Sequence, residues 1–305
     1  MRVAAIDCGT NSVRLLVAEN GDDGLVDLDR RLILTRLGQG VDATGRFHPD
    51  ALARTLAAFA EYADVIDDLG VDRVRLVATS AARDASNRDE FFAGARERLG
   101  VDAEVISGDE EARLSFTGAL TALPDVAAPA LVMDIGGGST ELIVGSTGAP
   151  PSIEHGISLN IGSVRVRERF LADDPPSEAQ IDRAERHIDD LLDGAGVDFA
   201  VVQTWIGVGG TATSLSALNQ RLPEYDRAKV HGSTMTRDEL HALTQRLLTS
   251  TVAQVKALPS MHPKRADVIC AGALIADRVG ARTGVDLTIS ESDILDGLAL
   301  GLLVG

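Results

Sequence analysis

A motif of eleven residues occurs twice in the chain, once at the N-terminus and once near the middle. Residues 7–17 read DCGTNSVRLLV and residues 134–144 read DIGGGSTELIV, so Asp, Gly, Ser, Leu and Val recur at the same offsets. Each copy follows a short apolar run and leads into another, a pattern that predicts two strands joined by a glycine turn. A chain of 305 residues has the length of about two domains. We therefore predict two related domains, each built around one copy.

The rest of the chain alternates apolar runs of strand length with segments of helical periodicity, which predicts an α/β fold. Residues 121–129 contain two prolines and show little periodicity, so we place the boundary there. The predicted domains are residues 1–124 and 125–305. The last predicted helix, about 293–303, could pack back on the first domain.

The charge and composition of the chain limit the kinds of molecule that it can bind. The chain has 29 basic and 46 acidic residues and a net charge of −17, which disfavours nucleic acid and anionic membranes as partners. A polyanionic ligand needs local positive charge, aligned amides or a divalent cation. The apolar runs are too short for a membrane span, and the only cysteines are Cys8 and Cys270. We expect a cytoplasmic protein; a homodimer stays open.

The two glycine turns could bind phosphate. Backbone N–H groups of such a turn can converge on an anion, and glycine lets the anion approach closely. Ser12 and Ser139 add hydroxyl donors, and Asp7 and Asp134 could hold a Mg²⁺-bound water. We expect the turns to face each other across a cleft; the alternative for either turn alone is a tight hairpin capped by Asp and Ser. A third turn, GVGGTAT at 207–213, precedes a helix predicted from about Ala212, and helix N-termini bind anions.

The segment ISGDEEAR, residues 106–113, places two adjacent carboxylates in the first turn of a predicted helix. Ser107 and Glu110 have the spacing of a capping box. Glu111 lies about 100° further round the helix and could deprotonate a water near bound phosphate. The alternative is that both glutamates only complement the helix dipole.

Two basic features are weaker candidates for phosphate contact. Arg83 follows a predicted strand end, where α/β sheets open their ligand clefts. Residues 262–267, HPKRAD, form a basic cluster at a predicted helix start. Both could equally be solvated surface charge.

Taken together, these motifs resemble the exopolyphosphatase and guanosine pentaphosphate phosphohydrolase (Ppx/GppA) family. The resemblance runs through DCGTNS, TSAAR, ISGDEEAR, VMDIGGGSTEL, GVGGTAT and HPKRADVI, from residue 7 to residue 269. It implies two actin-like (ribonuclease H-like) α/β domains of the sugar kinase and actin superfamily, with an interdomain cleft. The additional C-terminal helical domains of longer members are not expected, which puts long-chain processivity in doubt.

The resemblance also implies roles for residues. Glu111 matches the catalytic glutamate of the family, while Asp134, Gly136, Ser139 and Glu141 match positions that bind phosphate and Mg²⁺. The remaining matches to phosphate-facing loops are Gly9, Thr10, Asn11, Ser12, Arg83, Gly209, Gly210 and Thr211. With Gly137 and Gly138 of the second turn and Arg265 of the basic cluster, these residues make up the predicted phosphate site. Asp134, Glu141 and Asp7 are the predicted metal ligands.

We therefore expect an exopolyphosphatase that uses Mg²⁺ or another divalent cation to hydrolyse the terminal phosphate of inorganic polyphosphate. Guanosine pentaphosphate, losing its 5′ γ-phosphate, is the alternative substrate. A small-molecule kinase and a non-catalytic sensor of phosphate or nucleotide are further alternatives. Nucleotide-dependent thermal shifts would favour the kinase, and tight binding without turnover would favour the sensor.

Overall fold

The computed structural model describes residues 1–21, 24–123, 126–147 and 151–304. By contacts within the chain it divides into two compact units: unit 1 comprises Met1–Gly118 with Ile294–Gly305, and unit 2 comprises Ala119–Asp293. The predicted domain boundary between residues 124 and 125 lies outside the described residues and stays a prediction.

Unit 1 is built on a mixed five-stranded sheet. Its strands are β1 (Arg2–Cys8), β2 (Val13–Gly21), β3 (Gly24–Ile33), β4 (Arg73–Ala78) and β5 (Ala103–Val105). Their order is β3-β2-β1-β4-β5, with β1, β2 and β3 antiparallel and β1, β4 and β5 parallel. Its helices are α1 (Val41–Thr44), α2 (Pro49–Asp68), α3 (Ser80–Asp84), α4 (Arg88–Leu99), α5 (Gly108–Thr121) and the C-terminal α13 (Ile294–Val304).

The central strand β1 is covered on both faces, which explains why residues 3–6 are all apolar instead of alternating with polar residues. Ala4 and Ile6 pack in the cluster formed with α2 and α4. Val3 and Ala5 point to the opposite face and pack with Leu114 of α5 and Leu298 of α13, as the two-residue period of a strand requires.

Unit 2 is built on a mixed six-stranded sheet. Its strands are β6 (Ala130–Ile135), β7 (Thr140–Ser146), β8 (Ser152–Leu159), β9 (Thr204–Val208), β10 (Thr234–Met235) and β11 (Leu287–Ile289). Their order is β10-β11-β9-β6-β7-β8. Its helices are α6 (Ser163–Phe170), α7 (Glu178–Asp193), α8 (Gly209–Asn219), α9 (Arg227–Val230), α10 (Arg237–Leu248), α11 (Val252–Lys256) and α12 (Ile269–Thr283).

The sequence repeat is a repeat of structure. The first three strands of each unit form an antiparallel meander, and the fourth pairs in parallel with the first. The two turns close with the same backbone hydrogen bond: Gly9 N donates to Ser12 O at 2.9 Å, and Gly136 N donates to Ser139 O at 3.0 Å. The prediction of two α/β domains is confirmed. The cleft between them stays a prediction.

Two predicted helix starts are wrong by several residues. Helix α8 begins at Gly209, not near Ala212, so the third glycine motif forms the first turn of the helix. Helix α12 begins at Ile269, because residues 263–268 form successive turns. The basic cluster at 262–267 therefore lies in turns before the helix and not at its start.

Besides its apolar packing, helix α13 contacts the rest of unit 1 through an ion pair and a close backbone approach. Arg30 on β3 donates two hydrogen bonds to the carboxylate of Asp296, at 2.7 and 3.3 Å. Gly297 packs against the backbone of Leu114 in α5, and a Cβ there would lie 2.9 Å from the carbonyl carbon of Leu114. The two helices can lie this close only because residue 297 has no side chain.

The substitution Gly297→Ala should therefore destabilise the protein, whereas Gly301→Ala on the same helix should not. A methyl group at 297 meets backbone that cannot rotate away, and such overpacking costs about 1–3 kcal/mol. A Cβ at 301 meets nothing within 4 Å, and replacing a helical glycine by alanine gains about 0.5–1 kcal/mol. Thermal unfolding followed by circular dichroism measures both variants. Equal midpoints for the two would contradict this packing.

Candidate active site

The turn of unit 1, Gly9–Ser12, is braced through its carbonyl groups. Thr10 O accepts a hydrogen bond from Gly38 N at 2.8 Å, and Asn11 O accepts one from Arg36 N at 3.0 Å. The N–H groups of Thr10, Asn11 and Ser12 donate to no acceptor among the described residues. The turn thus presents three consecutive amides, which is the arrangement that binds anions.

The turn of unit 2, Gly136–Ser139, repeats this arrangement with different partners. Gly137 O accepts from the amides of Val164 and Arg165 at 2.9 and 3.0 Å, and Gly138 O accepts from Arg165 Nε at 2.7 Å. Within the described ranges, the amides of Gly137, Gly138 and Ser139 have no hydrogen-bond acceptor. Both sequence-predicted turns therefore hold their carbonyls by hydrogen bonds and, among the described residues, leave three amides without an acceptor.

Each motif aspartate faces a charged residue on the paired strand, and the charge of that residue is positive in unit 1 and negative in unit 2. In unit 1 Asp7 faces Arg14 across β1 and β2, and Arg14 Nη2 and Nε donate to Asp7 Oδ2 at 2.7 and 3.0 Å. In unit 2 Asp134 faces Glu141 across β6 and β7. The first pair is neutral as a whole, while the second concentrates negative charge in a buried place.

The Asp134–Glu141 pair is withdrawn from water. Asp134 is 8% exposed and Glu141 is 1% exposed. Glu141 Oε1 accepts a hydrogen bond from Ser158 Oγ on β8 at 2.6 Å. Two buried carboxylates side by side repel each other unless a proton or a cation compensates them. Within the described residues, no cluster of three or more His, Cys, Asp or Glu side chains could hold a metal, so a cation here would have this pair as its protein carboxylates.

Gly209, at the start of α8, packs against the same aspartate. Its φ is +74°, and a Cβ at this position would lie 2.6 Å from Asp134 Oδ1. Thr211 Oγ1 donates to Ile135 O at 3.0 Å. The first turn of α8 is therefore joined directly to the end of β6, next to the turn of unit 2.

The guanidinium of Arg265 packs against Gly210, the residue after Gly209. Its Nη1 donates to Gly210 O at 3.0 Å and to Ser214 Oγ at 3.1 Å, and a Cβ on Gly210 would lie 2.8 Å from that nitrogen. The nearby His262 has a pKa below its usual value, because it is partly buried and faces Arg265 and Lys264. At neutral pH the positive charge of this cluster therefore comes from Arg265 and Lys264.

In unit 1, Arg83 and Glu111 contact each other. Arg83 Nη1 donates to Glu111 Oε2 at 2.9 Å and to Ile106 O at 2.9 Å. Glu111 is 8% exposed. The other guanidinium nitrogens of Arg83 have no acceptor in the part of the chain that the structure describes. Arg83 thus orients the glutamate and keeps donors for a further anion.

Glu110 has a different environment from its neighbour. Ser107 Oγ accepts from Glu110 N at 3.2 Å, which is one half of the expected capping box. The Glu110 carboxylate contacts Arg75 Nη2 at 3.1 Å and Arg113 Nη2 at 3.5 Å. It is therefore part of the surface ion pairs that hold the first turn of α5 to β4.

Cys8 lies between Asp7 and the turn of unit 1 and is fully buried. Burial, and then the Asp7 carboxylate, raise the pKa of its thiol well above the usual value. The thiol stays protonated, so Cys8 is a small core residue, as is Cys270, whose pKa burial also raises.

A model of the Ppx/GppA phosphatase family matches residues 16–282 of the chain. The chain belongs to the Ppx/GppA phosphatase family. It is 47% identical to "Exopolyphosphatase 2" of Mycobacterium tuberculosis over 99% of this chain and 98% of that one. A crystal structure of the Aquifex aeolicus family member has a TM-score of 0.84 and 32% identity, covering 100% and 98% of the two chains. An exopolyphosphatase structure from Cytophaga hutchinsonii has a TM-score of 0.92 and 27% identity, again covering 100% and 98%.

The sequence analysis did not single out three arginines that contact the predicted site residues or a neighbour of one. Arg14 pairs with Asp7, Arg75 pairs with Glu110, and Arg165 holds the second turn. The contact of Arg14 with Asp7 could have been predicted from the sequence, because a hairpin that pairs residue 8 with residue 13 must place residue 14 opposite residue 7. The other two contacts join segments distant in sequence.

Across the described residues, no helix is long and apolar enough to cross a bilayer.

Because Gly209 abuts Asp134, Gly209→Ala should impair phosphate release far more than Gly284→Ala. Both glycines have nearly the same positive φ, +74° and +72°, so both substitutions meet the same backbone strain, about 1–2 kcal/mol. Only at 209 does the new methyl group also displace the Asp134 carboxylate; at 284 it meets nothing within 4 Å.

A misplacement of about 1 Å in a catalytic site can cost on the order of a hundredfold in rate. The measurement is kcat for phosphate release, after circular dichroism has established that each variant is folded. Equal losses in the two variants would mean that strain alone matters and that Asp134 has no part in turnover.

Proposed function

We propose that this chain is an exopolyphosphatase that releases orthophosphate from the end of inorganic polyphosphate. The observation that carries the proposal is the pair of braced turns, each presenting three amides without a protein acceptor. Polyphosphate offers phosphate groups to bind and no other recognition element. The names of the Mycobacterium tuberculosis and Cytophaga hutchinsonii relatives support this substrate.

A divalent cation, Mg²⁺ by preference, is proposed at Asp134 and Glu141. The fit is chemical: two buried carboxylates face each other on adjacent strands, and Mg²⁺ is commonly bound by one or two carboxylates together with water and substrate phosphates. When bound, the cation would neutralise phosphate charge. Asp7 suits this role less well, because Arg14 already compensates it.

Glu111 is proposed as the general base. It takes a proton from a water as that water attacks the terminal phosphorus, and the bridging oxygen leaves with the shortened chain. Arg83 orients the carboxylate through Nη1, and its remaining donors can stabilise charge on the phosphoryl oxygens. The amides of the Gly9–Ser12 turn, in the same unit as Glu111, can bind phosphates of the chain.

The proposal is tested by phosphate release from short polyphosphate, long polyphosphate, guanosine pentaphosphate and ATP. Polyphosphate should have the highest kcat/KM. A clear preference for guanosine pentaphosphate would replace polyphosphate by the alternative substrate. Tight binding with no release from any of them would make the chain a sensor.

Turnover should require a divalent cation. Excess EDTA should abolish phosphate release, and added Mg²⁺ should restore it. Asp134→Asn and Glu141→Gln should each raise the Mg²⁺ concentration needed for half-maximal rate or abolish turnover. Asp286→Asn, on an exposed aspartate of the same unit, is the matched control and should behave as wild type. Full activity in EDTA would refute the cation site.

Glu111→Gln should lower kcat by about 10²–10⁴-fold, the usual contribution of general-base catalysis, because glutamine keeps the shape but accepts no proton. Glu110→Gln is the control one residue away. It weakens partly exposed ion pairs with Arg75 and Arg113, which are worth at most about 1 kcal/mol of stability. Rates are compared at saturating polyphosphate and Mg²⁺. Loss of turnover in Glu110→Gln alone would reverse the assignment.

A further inference from the structure

The N-terminus of α6 packs directly on the turn of unit 2. Gly162, the residue before the helix, leaves no room for a side chain. A Cβ at this position would lie 2.4 Å from the carbonyl carbon of Gly137 and 2.6 Å from Gly138 N. The backbone of residue 162 therefore lies in contact with the peptide group between Gly137 and Gly138, and a movement of α6 would also move the turn.

The first N–H groups of α6 donate to the carbonyls of this turn. Such groups have no acceptor within their own helix and need one elsewhere. Ser163 N donates to Gly136 O at 2.9 Å. The amides of Val164 and Arg165 both donate to Gly137 O, at 2.9 and 3.0 Å. The positive end of the helix dipole thus faces the carbonyl side of the turn.

Arg165 also brings a full positive charge to the third carbonyl of the turn. Its Nε donates to Gly138 O at 2.7 Å, the short distance of a charge-assisted hydrogen bond. The equivalent carbonyl of unit 1, Asn11 O, accepts from the neutral backbone amide of Arg36 at 3.0 Å. The two turns therefore differ in the charge of the group that holds this carbonyl.

The carbonyl that Arg165 holds shares its peptide group with the amide of Ser139. This peptide is trans, so its C=O and its N–H point in opposite directions. A cation that binds the oxygen polarises the whole group and makes the N–H a stronger donor. Ser139 N has no acceptor in the described ranges, and it is one of the amides to which phosphate binding is ascribed above.

We propose that Arg165 is a positioning residue for phosphate binding. It fixes the Gly138–Ser139 peptide and strengthens Ser139 N–H as a donor to a phosphate oxygen, and it acts through that peptide. The phosphate part of this inference rests on the proposed function. The effect on the peptide rests only on contacts within the protein, so the two parts can be tested separately.

The first test observes the peptide group without a ligand. Glycine with a ¹³C carbonyl and serine with ¹⁵N are incorporated by cell-free synthesis, and an HNCO spectrum then reports only Gly–Ser peptides. The sequence has four of them, at residues 138–139, 145–146, 162–163 and 232–233. Loss of one signal in Ser139→Ala identifies the 138–139 peptide.

Arg165→Met keeps an unbranched apolar stem but removes the charge and the donor, so it should shift the 138–139 signal and leave the 232–233 signal in place. Arg165→Lys keeps a positive charge and should shift the 138–139 signal less. If the 138–139 signal did not move in Arg165→Met, the inference would be overturned, because the guanidinium would then have no influence on this peptide.

The second test measures the Kd of inorganic tripolyphosphate with Mg²⁺ by isothermal titration calorimetry in a Glu111→Gln background. Free phosphate is assayed after each titration to establish that the ligand was not consumed. Arg165→Met should raise the Kd on the order of tenfold, the lower end of what a hydrogen bond with a charged partner contributes. Arg165→Lys should raise it less. Equal weakening by the two variants would overturn the inference, because the positive charge would then have no effect.

Arg167→Met is the matched control on the same helix. Arg167 Nη1 donates to Leu171 O and, at 3.0 Å, to Asp173 O, two carbonyls at the C-terminal end of α6. Loss of these bonds should lower the Tm but leave the 138–139 signal and the Kd of tripolyphosphate unchanged. If Arg167→Met raised the Kd as much as Arg165→Met does, destabilising α6 would be sufficient, and the inference would be wrong.

Failure of the proposed function has a different signature. A wild-type chain that releases no phosphate from polyphosphate would refute the exopolyphosphatase assignment. The 138–139 signal of the ligand-free protein would still respond to Arg165→Met, because that response needs no substrate.

Discussion

In a chain of net charge −17, the proposed phosphate sites depend chiefly on backbone amides. In both repeated turns the carbonyl groups are hydrogen-bonded to neighbouring segments, Gly38 and Arg36 in one unit and the start of α6 in the other. A turn held through its carbonyls directs its N–H dipoles the other way. The sites therefore need few basic side chains, and the acidic surface can remain.

One position distinguishes the two copies of the duplicated hairpin. Residues 14 and 141 are equivalent, since each lies opposite the motif aspartate on the paired strand. Arginine at 14 neutralises Asp7, whereas glutamate at 141 adds to the charge of Asp134. The same backbone thus holds an ion pair in unit 1 and two facing carboxylates in unit 2, and the proposed cation is therefore assigned to the second copy.

Much of this could be predicted from the sequence, and the remainder depended on tertiary contacts. The repeat predicted two α/β units, because apolar strands flanking a glycine turn are a local signal. The start of α8 could not be predicted, since Gly209 adopts a positive φ and begins the helix where Asp134 leaves no room for a Cβ. The turns at 263–268 bring Arg265 onto Gly210 and Ser214, partners about fifty residues distant that no local pattern encodes.

The pair Glu110 and Glu111 shows why adjacent identical residues can have separate roles. A helix turns by about 100° per residue, so neighbouring side chains cannot share an environment. Glu110 points toward Arg75 and Arg113 and remains one-third exposed, while Glu111 is withdrawn and faces Arg83. Glu110 adds a partly exposed ion pair between the helical turn and Arg75 on β4, whereas Arg83 sets the direction of the Glu111 carboxylate. A carboxylate that is proposed as a general base must point at one water, and a hydrogen bond from a neighbouring guanidinium fixes that orientation.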